Sequence, residues 1–495
     1  MGKTALVLGE QLGADNPALV GADRILLIES TGAMRKRRYH RARLHIVLSA
    51  MRHRAADFRA EGREVVEVRR AAAFEPELAG MGDLVCMEPE NPKWAARLAS
   101  LGVELLPSNA FLADTQDFHD WATGKKRVTM EHFYRGMRKT HGLLLDSTGG
   151  PEGGKWNLDA ENRRPPAKGL TAPDSWMPTE DEVDADVRRD LDALVSDGLQ
   201  TWGADGPREF AVTADEAEAA LADFLANRLP EFGPWQDAMV TGERTLFHAR
   251  LSVPLNLGLL NPLDVVERVE AEYRTGRVPL QSAEGFIRQV IGWREFVRGM
   301  YRFRSEEWER DNGLDAQTPL PAVFYGSGRT DWNCLQDTID TVRDTGYGHH
   351  IERLMVLGNS MLLLGVKPEE ALDWFRESFV DAADWVMAPN VIGMGIHADG
   401  GVMMTKPYAA GGNYMSKMSQ HCKGCRYDPK KRVGEDACPL TAMYWTFLAR
   451  NREKFANNHR MALAMKNLDR ISPEDMIGIE EVASRASAGL QGAND

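Results

Sequence analysis

Cysteine is scarce in this 495-residue chain, with five residues in all. That scarcity excludes a disulfide framework of the kind found in small secreted domains. Long apolar runs are missing as well, and none approaches the roughly 18 residues needed to cross a bilayer. The opening "MGKTALVLGE" runs directly into a strand-like pattern without the layout of a signal peptide, so the expected location is the cytoplasm. Positive charge is not in excess. A formal net charge of −13 gives no whole-molecule attraction to nucleic acid, although screening over about 8–10 Å leaves room for local basic patches. No G-x-G-x-x-G follows the first strand pattern, which argues against the standard dinucleotide fingerprint. What is present is a globular composition, 43% hydrophobic and 27% charged, over a length that predicts two or three domains.

The first 110 residues alternate between two periods. "TALVLG" (4–9), "RILLIES" (24–30), "REVVEVRR" (63–70), "DLVCME" (83–88) and "VELLPS" (103–108) read as short buried strands. Helical patterns lie between them, such as 41–62, closed by Gly62. Such alternation predicts βαβ units and a parallel sheet, with ligands at the carboxyl ends of the strands. The first strand ends in Gly9-Glu10-Gln11, a candidate ligand turn. Residues 145–180 are rich in Gly, Pro and Asn, have no period, and read as a long linker or surface-hugging connection. Beyond about 205 helices dominate. A capping box from Thr213 to Glu216 opens one that Pro230 should stop, and further strong helices are predicted over 283–304 and 349–365. The expected fold is therefore α/β plus all-α: an α/β domain over 1–130, a connector over 131–204 and a helical domain over 205–495.

Three of the five cysteines fall in "HCKGCRYDPKKRVGEDACPLT" (421–441), as Cys422-x-x-Cys425 and Cys438-Pro439, with Cys334 upstream in "DWNCLQ". Cys86 sits in a strand pattern and reads as a buried small hydrophobe. A structural zinc site would need a fourth ligand from His421 or Cys334. An iron–sulfur cluster also takes four thiolates, and a Cys-Pro ligand recurs in ferredoxins; spacing alone leaves the two open. On the 283–304 helix Arg294, Arg298 and Arg302 recur every four residues and share one face. They form either a solvated charged face or, beside the helix's aromatics, a stripe suited to phosphate.

At these residues the chain resembles the cryptochrome/photolyase family. "RLSVPLNLGLL" (250–260) looks like its flavin-binding segment, "FIRQVIGWREF" (286–296) is similar to its "FIRQLIWREF" helix, and "HHIERLM" with "DAADWVMAPNVIGM" occupies its flavin-ring segment. The four spaced cysteines and His349-His350 resemble one branch, the iron–sulfur bacterial cryptochromes and prokaryotic (6-4) photolyases. The resemblance implies an N-terminal Rossmann-like antenna domain and a helical FAD-binding domain. It implies light-driven repair of (6-4) photoproducts in UV-damaged DNA, by electron transfer from reduced FAD to a flipped-out lesion; the alternative is a blue-light sensor without repair.

The same resemblance places His248, Arg250, Ser252 and Asn256 at the flavin phosphates, with His248-Ala249 standing where the family has a Thr-Ser pair. It places Gln289, Trp293 and Arg294 beside the adenine and phosphates, Arg353 and Asp384 as an ion pair at the flavin ring, and Asn390 near its N5. The ion pair also reads as an ordinary structural salt bridge. His349 and His350 become the catalytic pair at the lesion and Trp374 the ring-proximal electron carrier, followed by Phe375 where some relatives have Tyr. Cys334, Cys422, Cys425 and Cys438 become ligands of a [4Fe–4S] cluster. In the N-terminal domain "VLGEQLG" resembles the family's "LGDQL", and Gly9, Glu10, Gln11 and Glu29 are expected near a 6,7-dimethyl-8-ribityllumazine antenna. A monomer is expected, binding DNA through local basic clusters: Lys125-Lys126-Arg127, the arginine helix, and Lys423, Arg426, Lys430, Lys431 and Arg432.

Overall fold

A computed structural model describes residues 2–491. Five strands, β1 (Lys3–Leu6), β2 (Arg24–Ser30), β3 (Glu64–Ala71), β4 (Asp83–Met87) and β5 (Glu104–Leu106), form one parallel sheet in the order β3-β2-β1-β4-β5. Each corresponds to one predicted strand. The interior strands bury runs such as Ile25–Ile28 and Leu84–Met87, as a sheet covered on both faces requires. The helix Arg41–Ala60 covers one face and ends where Gly62 takes a φ of 79°, a conformation that costs glycine little. Order reverses at β1, so the switch point lies beside the Gly9-Glu10-Gln11 turn.

The stretch over 131–204 contains two helices, Met130–His141 and Glu182–Ser196, with mostly irregular backbone between. That backbone is pinned from within. Asn162, fully buried, donates to the Gln281 carbonyl at 2.8 Å, and the Leu158 amide donates to Glu284 at 3.1 Å.

The rest is helical. Thr213 caps Ala214–Asp223 by accepting from the Glu216 amide at 3.2 Å. Pro230 does not stop this run. It sits in the first turn of the next helix, Leu229–Trp235, where proline's missing N–H has no partner to lose. The 283–304 pattern forms Leu280–Ile287 and Glu295–Arg304, joined by a π-helical turn over Arg288–Arg294.

The Arg294, Arg298 and Arg302 face corrects an expectation. Instead of facing phosphate, it faces the N-terminal domain. Arg294 pairs with Glu295 at 3.1 Å and donates to the Ala110 carbonyl; Arg298 pairs with Glu90 at 2.7 Å; Arg302 pairs with Glu88. All three are largely withdrawn from water. Gly299 lies on the same helix, and a Cβ there would stand 2.2 Å from the Phe118 ring. The two domains thus meet through paired charge and close packing. No helix among the described residues is long and apolar enough to cross a membrane.

Candidate functional site

The helical domain gathers polar groups around one buried carboxylate, Asp381. Arg353 grips it with two bonds, at 2.9 and 3.1 Å, Ser252 Oγ donates to it at 2.7 Å, and Asn256 donates to its main-chain carbonyl at 3.0 Å. Burial alone would raise the Asp381 pKa, but the Arg353 charge and the bonds from Arg353 and Ser252 hold it below the usual carboxylate value. Arg353 was expected to pair with Asp384. The structure replaces that pair with Arg353–Asp381, because Asp384, one turn further on, is taken by Arg376 at 2.8 Å and Asn91 at 2.7 Å.

Beside Arg353 stand three histidines. His248 and His349 stack with ring centroids 4.6 Å apart and planes 14° from parallel, and one nitrogen from each of His248, His349 and His350 lies within 4.8 Å of the others. His248 and His349 are buried, and His248 Nε2 and both ring nitrogens of His349 have no hydrogen-bond partner. Glu352 Oε1 stands 3.5 Å from His349 Nε2, and unmet capacity in buried groups costs about 1–3 kcal/mol each, so a ligand that bonds these nitrogens would be favoured here. Burial drives both pKa values well below the ordinary histidine value; for His248 the nearby His350 adds to this, and for His349 the nearby His248. Both are therefore neutral at pH 7. His350 is half-exposed, with Nε2 3.3 Å from Asp237. Tyr414 has its pKa raised by burial and then by the Asp237 charge, with Arg163 and Tyr408 close enough to act on it too. Asp237, the partner of His350, is thus close enough to Tyr408 and Tyr414 for its charge to act on both.

Other expected flavin contacts are placed differently. Arg250, at a φ of 59°, pairs with Glu209 at 3.0 Å and leaves its buried Nε unpartnered. Gln289 donates to the Gly285 carbonyl on its own helix, Trp293 packs edge-on to Phe296, and Asn390 donates to the Val386 carbonyl. Trp374 is fully buried and contacts Phe379, whose ring lies 4.1 Å under the Arg353 guanidinium.

The cysteine centre is a second, separate construction. Cys334 comes from the start of the helix Asn333–Thr345, Cys422 and Cys425 from the loop, and Cys438 caps the helix Pro439–Arg450. All four line one small cavity with Trp332, His421 and Tyr427. Burial raises the Cys334 thiol pKa, followed by the charges of Cys438, Cys422 and Cys425; burial and Cys438 push Cys422 up to about 11. Ionised together, four thiolates in one cradle would need a cation to balance them. Four sulfurs at about 2.3 Å around one zinc ion lie about 3.8 Å apart, but among the described residues no three of these sulfurs fall within 4.8 Å of one another. As placed, the sulfurs are spread more widely than a single zinc ion holds its ligands. The cradle is also closely lined: a Cβ on Gly412 would stand 2.8 Å from Cys438 Sγ. The loop's basic residues are mostly paired, Arg426 with Asp331, Lys431 with Asp436 and Arg432 with Asp475.

At the sheet's switch point Glu10 remains reachable by water, yet enclosure and the charges of Glu90 and Asp384 raise its pKa to about 7. Gly9 faces Val47 and Met51. Gln11 donates to the Met87 carbonyl at 2.6 Å and lines a cavity shared with Asn16, Asn109 and Asn261. Glu29 is corrected as an open ligand group, since Arg52 binds both its oxygens, at 2.7 and 2.8 Å, in a buried pair.

Across 96% of this chain and 97% of the relative, the sequence is 40% identical to the (6-4) photolyase of Agrobacterium fabrum. The chain belongs to the photolyase family. Residues 5–204 of this photolyase also match the family model described as deoxyribodipyrimidine photo-lyase-related protein. A shorter uncharacterised protein of Acanthamoeba polyphaga mimivirus is 32% identical over 120 residues, 24% of this chain and 90% of its own. The crystal structure of a bacterial class III photolyase from Agrobacterium tumefaciens shares the fold, with a TM-score of 0.56 at 17% identity over 99% of this chain and 97% of that one.

Sequence reasoning missed Asp381, although "DAAD" offers two carboxylates three residues apart; only packing shows which one Arg353 reaches. It also missed Asp237, Tyr408 and Tyr414, which no local pattern ties to His350.

Proposed function

We propose that this photolyase reverts (6-4) photoproducts in DNA under blue light, the lesion class in the name of its Agrobacterium relative. The observation that carries the reading is the pair of buried, unpartnered histidines meeting half-exposed His350 beside Arg353. The unpartnered nitrogens of His248 and His349, the free Nε of Arg250 and the Arg353–Asp381 pair fit an anionic flavin, FAD. Reduced FAD, when bound, supplies one electron from its excited state. Asp381 orients Arg353, whose charge favours an anion beside it. The lesion must leave the base stack, at a cost of a few kcal/mol that damage lowers. Neutral His349 supports a hydrogen-bonding role, and His350, beside Asp237 at the open side, carries the proton that moves between the two bases.

The wide thiolate cradle supports a [4Fe–4S] cluster on Cys334, Cys422, Cys425 and Cys438. A lumazine antenna would sit at this switch point, where Gln11 lines the cavity and Gly9 and Glu10 form the adjoining turn, while Glu29 is held by Arg52. The protein works in the cytoplasm as a monomer; DNA contact falls to Lys126, Arg127, Lys423 and Lys430, which have no carboxylate partner among the described residues. The test is His350→Ala in the flavin-loaded protein: repair of irradiated oligonucleotides should vanish while flavin stays bound. Undiminished repair would remove His350 from the mechanism, and repair absent even from the unmutated protein would favour the light-sensor alternative.

A further inference from the structure

Glu352 begins the π-helical turn Glu352–Gly358, three residues after His349, and is buried. Its two oxygens have different tasks. Oε2 accepts from the His349 amide at 3.2 Å, and Oε1 stands 3.5 Å from His349 Nε2. The first contact is a helix cap, a glutamate reaching back to the amide that precedes the helix. The second adds nothing to a cap. It sets a carboxyl group against a ring nitrogen that has no other partner. Contacts of this kind are often long until a ligand tightens them. Among the described residues Glu352 is the only carboxylate paired with His349, whose other charged or titratable neighbours are His248, His350, Arg353 and His421.

Nothing nearby balances a charge on Glu352. No arginine or lysine pairs with it among the described residues, and Arg353, next in the chain, spends its guanidinium on Asp381 and on the Gly348 carbonyl at 2.6 Å. The remaining groups around it are Asp337, from the helix Asn333–Thr345, and Tyr347, whose hydroxyl feels the Glu352 charge. Burial, opposed by the His349 amide and helped by Asp337, pushes the Glu352 pKa up to about 8, so the group is a carboxylic acid at pH 7. A neutral imidazole carries its one proton on Nδ1 or on Nε2, and the group opposite one nitrogen decides which. An acid opposite Nε2 donates to it and leaves the ring proton on Nδ1. A carboxylate there accepts from Nε2 and leaves Nδ1 bare.

We infer that Glu352 is a positioning residue that donates its carboxyl proton in a hydrogen bond to His349 Nε2, and so fixes His349 Nδ1–H as a donor towards an acceptor atom of the bound ligand. The ring reverses when the pair loses a proton: the Nδ1 proton goes to solvent, the proton shared with Glu352 settles on Nε2, and Nδ1 becomes an acceptor. Glu352 itself touches no substrate. The inference rests on the repair reading only for the identity of the acceptor, an oxygen of the lesion, and His350 keeps the proton-carrying role given to it above.

The test is nitrogen-15 NMR of the full-length, flavin-loaded protein labelled at histidine, with His349→Gln to assign the ring signals. The shifts of the two ring nitrogens report the tautomer directly. In the unmutated protein Nδ1 should carry the proton below about pH 8 and Nε2 above it. Glutamine caps a helix as glutamate does and has an N–H to donate at every pH. Glu352→Gln should therefore hold the Nδ1–H form throughout, a difference that a purely capping role would not produce. An unmutated ring with one tautomer on both sides of pH 8, or a Glu352→Gln ring that switches as the unmutated one does, would overturn the inference.

Light-driven loss of a (6-4) photoproduct is the second readout. Repair by the unmutated protein should fall as pH rises through about 8, and Glu352→Gln should stay level over the same range. Glu352→Leu should repair roughly tenfold more slowly at pH 7, as for one lost hydrogen bond, with flavin content unchanged. Parallel pH profiles for the unmutated protein and Glu352→Gln would refute the inference and leave the repair reading standing. Unmutated protein that repairs nothing would refute the repair reading, and the NMR, which needs no turnover, would still decide the tautomer.

Discussion

Two bidentate arginine–carboxylate pairs invite comparison, Arg353–Asp381 in the helical domain and Arg298–Glu90 between the domains. Both are largely withdrawn from water, and both use the same chemistry. Around Arg298 the neighbours are mostly paired: Arg302 has Glu88, Glu295 accepts the Leu112 and Ala113 amides at 3.0 Å each, Gly299 admits Phe118 into contact, and of the facing arginines' buried nitrogens only Arg294 Nε lacks a partner. Around Arg353 the neighbours are unfinished, with three bare nitrogens on His248 and His349. Charge does not distinguish a site from a seam. Unmet bonding capacity does, because a fold that buries orphan polar groups gives up stability that a bound ligand can restore.

Substitution at the two pairs should separate these roles. Asp381→Asn is expected to have the largest effect, lowering flavin content and light-driven repair by at least about 100-fold, the equivalent of roughly 3 kcal/mol, as read by absorbance and lesion loss. Arg298→Met should instead act on stability, costing about 3–5 kcal/mol through the buried Glu90 left unpaired, with repair per folded molecule unchanged. A fall in flavin content equal to that of Asp381→Asn would erase the distinction. Cys422→Ser tests whether the thiolate centre stands apart from both: iron should fall from about four per chain, and the brown colour with it. Stoichiometric zinc and no iron in anaerobic preparations of the unmutated protein would contradict the width of the cradle.

The smallest predicted effect depends on pH. Burial raises the Glu352 pKa to about 8 from its usual 4.5, with Asp337 adding to the rise and the His349 amide opposing it. Between those values the native state holds a proton that the unfolded chain has released. The contribution to stability is therefore fully present below about pH 4.5 and lost as pH rises through about 8. Glu352→Gln should raise the thermal midpoint by several degrees at pH 8.5 and by little at pH 5. An equal shift at both would show that Glu352 does not titrate in this range.

The parallel sheet was legible because strand patterns such as the apolar runs of β2 and β4 alternate with helical ones, and the cysteines because their spacing is rare in a thiol-poor chain. The Arg294–Arg298–Arg302 face was legible as a face and not as a contact, since helical period fixes which residues share a side and says nothing of what lies opposite. Asp381 and Asp384 are equivalent to any reading of pattern; the Arg376 and Asn91 side chains decide between them by occupying Asp384. Pro230 was read as a stop because proline ends helices from within, whereas the chain restarts at Leu229 and places it where it is tolerated.

The most direct measurement is the loss of a (6-4) photoproduct from a synthetic oligonucleotide, followed by chromatography, with the flavin of the purified protein fully reduced. Under blue light the lesion should convert to intact pyrimidines, in darkness it should persist, and Asp381→Asn should behave in the light as the unmutated protein does in the dark. A lesion unchanged after illumination by protein carrying reduced flavin would contradict the account.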